Sequence, residues 1–334
     1  MTATEAAVRE LTYGAAFTET LRQIMAEDHD VFVAGEDVGA AGGVFGSFTG
    51  LQREFGEMRV VDTPISEQAI VGLGTGAAVS GLRPVVDLMF MDFVLVAMDQ
   101  IVNQAAKLKY MFGGNTSLPM TITTNAGAGL SAAAQHSQSL EALLCHIPGL
   151  KVVMPSNAHD VKGLLTASIR DDNPVVFVKH KRLLGQKGYC PEDLFEIPLG
   201  SASITRPGAD VTLVTYGRMV SESLKAASVL AGEDIDVEVI DLRTLQPLDT
   251  ETIVESVQRT NHCVVAHEAV RFGGLGAEIA AHIQEQAFDY LDAPVGRVGA
   301  PFSPVPFTPA LESEYVPDAV SIAADVRAAV SRLR

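Results

Sequence analysis

An α/β fold with a mainly parallel sheet in two domains is the architecture the sequence predicts, on three observations. Short β-branched runs alternate with amphipathic stretches along the whole chain, the pattern of parallel strands covered by helices. The 334 residues exceed what one ordinary domain needs. The stretch 180–198 loses periodicity and carries Gly and Pro, which marks a boundary. The resulting division is a domain over 1–185, a linker over 186–200 and a second domain over 201–334.

In chain order the apolar β-branched runs predict strands at 31–35, 59–63, 84–90, 119–124, 151–155, 174–178, 210–217, 236–244, 263–268 and 294–299. Helical periodicity between them predicts helices at 13–27, 66–80, 93–110, 137–145, 158–170, 220–231, 249–260, 276–290 and 317–333. Strands ending in Gly, Asp or Glu and running straight into helices put polar groups at the carboxyl edge of the sheet, where open α/β folds bind ligands.

Lys and Arg number 24 against 41 Asp and Glu, a formal net charge of −17. That field repels phosphate, so neither nucleic acid nor an anionic membrane is an expected partner. With 47% hydrophobic and 19% charged residues the chain is no disordered polymer, and much of its surface is expected to meet other protein. Cys145, Cys190 and Cys263 lie far apart in no C-x-x-C pair, so neither a disulfide framework nor a thiolate zinc site is encoded, and a reducing, cytoplasmic setting is expected. MTATEAAVREL lacks the apolar core of a signal peptide. The most apolar stretch, 69–98, is interrupted by Arg83-Pro84, Asp87 and Asp92 and is read as buried helix and strand, not a membrane span.

Four groups of residues carry candidate chemistry. GLGTGAA, 72–78, holds a G-x-G-x-x-A pattern with Asp92 twenty residues beyond Gly72, as a dinucleotide site needs. The SEQAIV before it is no strand, however, and Pro64, Ser66 and Glu67 make a helix start with an acidic first turn. Gly72, Gly76 and Ser80 then share one face and let another helix approach; GGLGAEI, 273–279, is read the same way. Glu67 itself either stabilises that helix N-terminus or is a buried acid that holds or passes a proton. His136, in AAAQHSQSLEALL, stands where a loop enters a helix capped by Ser137, and the preceding NAGAG lets backbone pass close to a ligand. An acid/base role and a structural one are both open to it, while the lack of a Ser-His-Asp order or an H-E-x-x-H string weighs against hydrolase and zinc chemistry. Asp87 and Asp92, within VVDLMFMDF, are costly to bury unless paired or protonated, so their clustering with Glu36 and Asp37 would suggest a proton relay, while Glu36 and Asp37 are equally open to being solvated loop ends.

Taken in order, GEDVGAAGGVF, VDTPISEQAIVGLGTGAAVSGLRPV, MFMDF, DQIVNQAAKLKYMFGG, AAAQHSQSLEA, HIPGLKVVMPS, DDNPVVF, DVTLVTYGRMV, VEVIDLRTLQPLD and PFTPALE closely resemble the beta chain of the thiamine diphosphate-dependent 2-oxo acid dehydrogenases. That family covers pyruvate, branched-chain 2-oxo acid and acetoin dehydrogenases, and the resemblance spans residues 10 to 330. It implies a pyrimidine-binding domain of thiamine diphosphate type, then a transketolase C-terminal-like domain, in an α2β2 heterotetramer with a second beta chain. It also implies a lipoylated acyltransferase partner, whose small basic domain part of the −17 charge would meet.

The resemblance further implies that Glu67 hydrogen-bonds the aminopyrimidine of thiamine diphosphate and drives it to the imino tautomer that deprotonates the thiazolium carbon. Phe93 would stack on that ring, and His136 would move protons on the substrate and lipoyl side. Glu36 would belong to an acidic network joining two active sites. Met120 and Thr121, with Ser168, Asp171 and Asn173, resemble a potassium site found in some members. No G-D-G string followed about thirty residues on by Asn is present, the loop that holds magnesium and diphosphate, so the alpha chain is expected to supply it. Lys179 departs from the Glu that many members carry after the PVVF strand. TTNAGAGLSAAAQHSQS and YMFGG look like acetoin dehydrogenase chains, RFGGLGAEI like the general 2-oxo acid type. The sequence reading therefore puts oxidative decarboxylation of a 2-oxo acid first and acetoin cleavage second. A non-catalytic scaffold subunit and an NAD-dependent dehydrogenase are the other classes.

Overall fold

The computed structural model describes residues 9–331, so most of the MTATEAAVREL segment and the end of the helix expected at 317–333 lie outside the described residues. Every strand expected from the sequence is present. The larger sheet runs in the order Thr244–Gln246, Lys151–Val153, Val175–His180, Thr121–Ala126, Arg83–Phe90, Val31–Gly35, Val60–Asp62, parallel throughout except for its first strand. The second sheet runs Gly296–Ala300, Cys263–Val270, Val211–Thr215, Val237–Asp241, Ser203–Arg206, with only the last strand antiparallel.

Strand periodicity divides the large sheet between two cores. Val33, Val85, Val153, Val175 and Phe177 face the helices Tyr13–Glu27 and Ala158–Arg170. Their neighbours Ala34, Val86, Val152, Val176 and Val178 face the helix Glu67–Val79 and continue into the second domain through Val214, Ile240 and Val265. The flanking helices start where the sequence supplies caps, with Thr12 accepting from Ala15 N–H and Asn157 from Asp160 N–H.

Two features cross the boundary between the domains. Thr244–Gln246, from the second half of the chain, pairs antiparallel with Lys151–Val153 at the edge of the large sheet. Lys187–Tyr189, within the stretch 186–200, pairs with Glu10–Thr12.

The structure corrects two local expectations. The 93–110 helix is a 3-10 turn Met91–Leu95, a π turn Gln100–Ala105 and a short α-helix Ala106–Met111. The 137–145 helix is only Glu141–Cys145 and Ser137 does not cap it. The reason is that Gln138 N–H and Nε2 donate to Asp92, and Leu140 N–H reaches Met91 Sδ, so these donors hold the chain in an extended path. On the Gly72, Gly76 and Ser80 face, a Cβ on Gly72 would lie 3.5 Å from Gln100 Oε1 in the π turn. A Cβ on Gly76 would meet nothing within 4 Å, whereas one on Gly74 would lie 2.8 Å from both Met120 Sδ and Val86 Cγ1. Gly74 is thus the residue that brings the helix down on the sheet.

Candidate active site

All the parallel strands of the large sheet end at one edge, and the chemistry-bearing residues leave from those ends. Glu36 follows Val31–Gly35, Glu67 opens the helix after Val60–Asp62, and Phe93 lies in the turn after Arg83–Phe90. His136 sits in the loop after Thr121–Ala126, and Lys181 follows Val175–His180.

Glu67 is half-buried at the first position of its helix, whose partial positive end favours an anion there. Glu36 stands close enough to feel it. Burial first, then the Asp37 and Glu67 carboxylates, push the Glu36 carboxyl above the usual range. Two neighbouring acids of which one resists ionisation are suited to holding a proton between them.

Phe90 centres an aromatic cluster. Its ring lies 5.5 Å from Phe45, 5.5 Å from Phe93 and 4.9 Å from the His136 imidazole, and Phe93 lies 5.4 Å from His136, all edge to face. Around it, Asp92 Oδ2, Asn125 Oδ1 and Ser137 Oγ are buried with no hydrogen-bond partner. Half-exposed carboxylates, an aromatic face and unsatisfied polar atoms at one sheet edge fit the polar aminopyrimidine end of thiamine diphosphate. Among the described residues there is no cluster of His, Cys, Asp and Glu suited to a metal.

Several residues of this site were not singled out from the sequence. Lys181, buried on the Phe90 ring at 5.1 Å, donates to the His136 carbonyl. Burial lowers the affinity of its ammonium for a proton, and Asp92, Glu268 and Glu312 oppose that shift. His180 accepts from Arg182 N–H at Nδ1 and so presents Nε2–H to Glu268, 2.9 Å away. Glu268 also accepts from Ala128 N–H at 2.6 Å, with Arg218 at 3.5 Å. Burial would push the Glu268 carboxyl up, but His180, Arg218 and the Ala128 amide together hold it below the usual carboxylate range. Glu312 accepts from Gly129 and Ser131 N–H at 2.8 and 2.9 Å. The available signal was the Glu ending CVVAHE, a charge on an otherwise apolar strand.

Met120, Thr121, Ser168, Asp171 and Asn173 gather at the opposite, amino end of these strands, away from the site. Lys151 pairs with Asp171, Lys109 Nζ donates to Asn173 Oδ1 at 2.8 Å, and Ser168 Oγ bonds Leu164 O. The Met120 carbonyl accepts from Val175 N–H. The Asp171 and Asn173 side-chain oxygens are already matched by this chain's own ammonium groups and the Ser168 hydroxyl by a backbone carbonyl, which does not fit a potassium ion, and no step is assigned to one.

The two glycine strings are packing devices. GLGTGAA lies inside the helix Glu67–Val79, not at a strand-to-helix turn, and Cβ atoms on Gly274 or Gly276 would strike the His267 ring at 2.6 and 2.7 Å. Lys179 is fully buried, 3.5 Å from Asp87 and 4.3 Å above the Phe17 ring, so the position that departs from the family pattern is a cation paired with one of the strand acids.

Residues 9–187 match the family of the transketolase pyrimidine binding domain and residues 200–322 that of the transketolase C-terminal domain. The chain is 49% identical to the beta subunit of the acetoin:2,6-dichlorophenolindophenol oxidoreductase of Cupriavidus necator, over 96% of this chain and 97% of that one. It is 46% identical to the beta subunit of the pyruvate dehydrogenase E1 component of Rickettsia felis, over 92% and 94%. Among solved structures, a split-gene transketolase described as an inactive beta4 tetramer superposes with a TM-score of 0.79 at 25% identity, over 97% of this chain and 99% of that one.

Proposed function

The chain belongs to the thiamine diphosphate-dependent family that joins a transketolase pyrimidine-binding domain to a transketolase C-terminal domain, and from that premise we propose that it is the beta subunit of a 2-oxo acid dehydrogenase decarboxylase component. The observation that carries this reading is the meeting of Glu67, Glu36, Phe93 and His136 at one sheet edge. Acetoin is the second reading of the donor, favoured by 49% identity to an acetoin-acting relative against 46% to a pyruvate dehydrogenase chain.

Thiamine diphosphate, when bound, supplies a carbon nucleophile that attacks a carbonyl and takes up the electron pair left by the breaking bond. Glu67 holds the proton at the aminopyrimidine ring nitrogen. Glu36, reluctant to ionise, exchanges a proton with it. Phe93 offers its face to the flat ring and keeps water from it. His136 moves protons on the substrate side, in the place that Phe90, Phe93 and Lys181 give its loop.

The diphosphate and magnesium half of the site is assigned to an alpha chain. The helix Glu67–Val79 and the segment after it leave Leu73, Val79, Val96, Tyr110, Met111 and Phe112 exposed. So many exposed apolar side chains suit permanent subunit contacts, so an alpha chain and a second beta chain complete the molecule, active only when assembled, in a reducing cytoplasmic setting. Lipoyl groups of an acyltransferase take the acyl product.

Coexpression with the neighbouring alpha subunit and a dye-acceptor assay on pyruvate, branched 2-oxo acids and acetoin tests this reading. One donor is expected to turn over with added thiamine diphosphate, and Glu67→Gln is expected to lower that rate by about 10²-fold or more. An assembled Glu67→Gln complex with unchanged turnover would identify a scaffold subunit instead.

A further inference from the structure

The loop that carries His136 cannot hold its own shape. Within seven residues it has Gly127, Gly129, Ser131 and Ala133 at φ 95°, 99°, 53° and 60°, and two of these are not glycine. Gly127 lies so close to the His180 ring that a Cβ there would come within 2.1 Å of Nε2. Strained backbone persists only where its surroundings over-determine it.

Those surroundings come from the other domain. Glu268, on the strand Cys263–Val270, takes the Ala128 N–H, and Glu312, in the helix Pro309–Tyr315, takes the N–H groups of Gly129 and Ser131 and faces the Ser131 hydroxyl at 3.3 Å. Both carboxylates are almost fully buried, so their bonds to amides are shielded from competing water. Arg182 donates to the Gly129 carbonyl at 2.9 Å. Farther along, Lys181 holds the His136 carbonyl and Asp92 holds Gln138. Three backbone donors at the loop's bend, those of Ala128, Gly129 and Ser131, thus end on acceptors that the pyrimidine-binding domain does not own.

We propose that Glu312, seconded by Glu268, is a positioning residue that sets the His136 imidazole from across the domain boundary. The proposal rests on the reading of His136 given above. It assigns the C-terminal domain a part in the reaction, although none of its side chains need touch the substrate. A carboxylate is required because one residue must accept two or three hydrogen bonds at once. The amide of Gln accepts only through its single oxygen, and its NH2 group faces N–H donors.

The test uses the assembled alpha–beta complex with Glu312→Gln, Glu312→Asp and His136→Gln. In Glu312→Gln, hydrogen exchange of the 127–137 amides should rise at least tenfold. Turnover should fall tenfold or more, and the limb of the pH–rate profile that His136→Gln removes should shift, while the Kd for thiamine diphosphate stays within twofold of wild type. Glu312→Asp should recover part of both the exchange protection and the rate. Wild-type exchange across 127–137 in Glu312→Gln, or a loosened loop with unchanged turnover and pH profile, overturns the positioning role. A uniform loss of assembly and cofactor affinity together overturns it too, as that is the mark of a merely structural residue. Wild-type turnover in His136→Gln removes instead the reading of His136 on which the proposal stands.

Discussion

Two buried acid clusters tie the domains together, and they solve the same electrostatic problem differently. Beside the His136 loop, Glu268 receives His180 Nε2–H and the Ala128 amide and has Arg218 nearby, and it is held in the ionised range. On the other side of the boundary Asp241 bonds Ser156 Oγ and accepts from Arg243 N–H, but the Arg243 guanidinium is committed to Asp160 through two bonds of 2.8 Å. Burial first, then the Asp160 carboxylate, push the Asp241 carboxyl up to about 7. The difference lies in the supply of donors and cations. Where these match the carboxylates, a buried acid stays charged and can brace a strained loop. Where the one guanidinium is committed to a neighbouring acid, the other acid holds its proton to higher pH.

The largest effect expected from breaking this contrast is at Glu268. Glu268→Leu strands the Arg218 charge and the His180 N–H in a buried place and should cost about 3–5 kcal/mol, read from denaturant unfolding. A loss under about 1 kcal/mol would mean that the loop cluster is no better matched than the Asp241 one.

Asp241 gives the next largest effect, with the opposite sense. Its folded value of about 7 exceeds the ordinary 3.8, so the unfolded chain releases this proton first as pH rises. The stability this group contributes is complete below about pH 4 and falls by about 1.4 kcal/mol per unit until ionisation near 7. Asp241→Asn reproduces the shape of the neutral acid and should flatten that slope. It should be about 2–4 kcal/mol more stable than wild type at pH 8 and nearly equal to it at pH 4, by urea unfolding at the two pH values. A variant destabilised at both would show that Asp241 is ionised in the folded chain.

The smallest change sharpens the contrast from inside the loop. Ser137 is 2% exposed and its hydroxyl has no partner, so Ser137→Ala should be neutral or stabilise the free chain by up to about 1 kcal/mol. If thiamine diphosphate or substrate uses that hydroxyl, the same variant will lose ligand affinity while keeping its unfolding midpoint.

Much of this was legible in the residues. Short apolar β-branched runs marked the strands of both sheets, and capped amphipathic stretches such as Tyr13–Glu27 and Ala158–Arg170 run where the pattern begins and ends. Glu36 stood out as an acid at a strand end, Glu67 and His136 as chemistry-bearing side chains where helices begin, and Phe93 through the family resemblance alone. The helix expected from Ser137 was misread because its first amides donate to Asp92 and Met91, side chains that local periodicity does not see.

By itself, then, the sequence determined the α/β class, the order of the elements and the strand ends at which function collects, because those follow from forces acting within a few residues. The tertiary structure alone decided which buried charges meet. Ala128 and Glu268 are 140 residues apart in the chain, and Gly129 and Glu312 are 183 apart. No local propensity encodes such a pairing; it exists only once two sheets have closed on each other and removed the water that would otherwise have satisfied those groups.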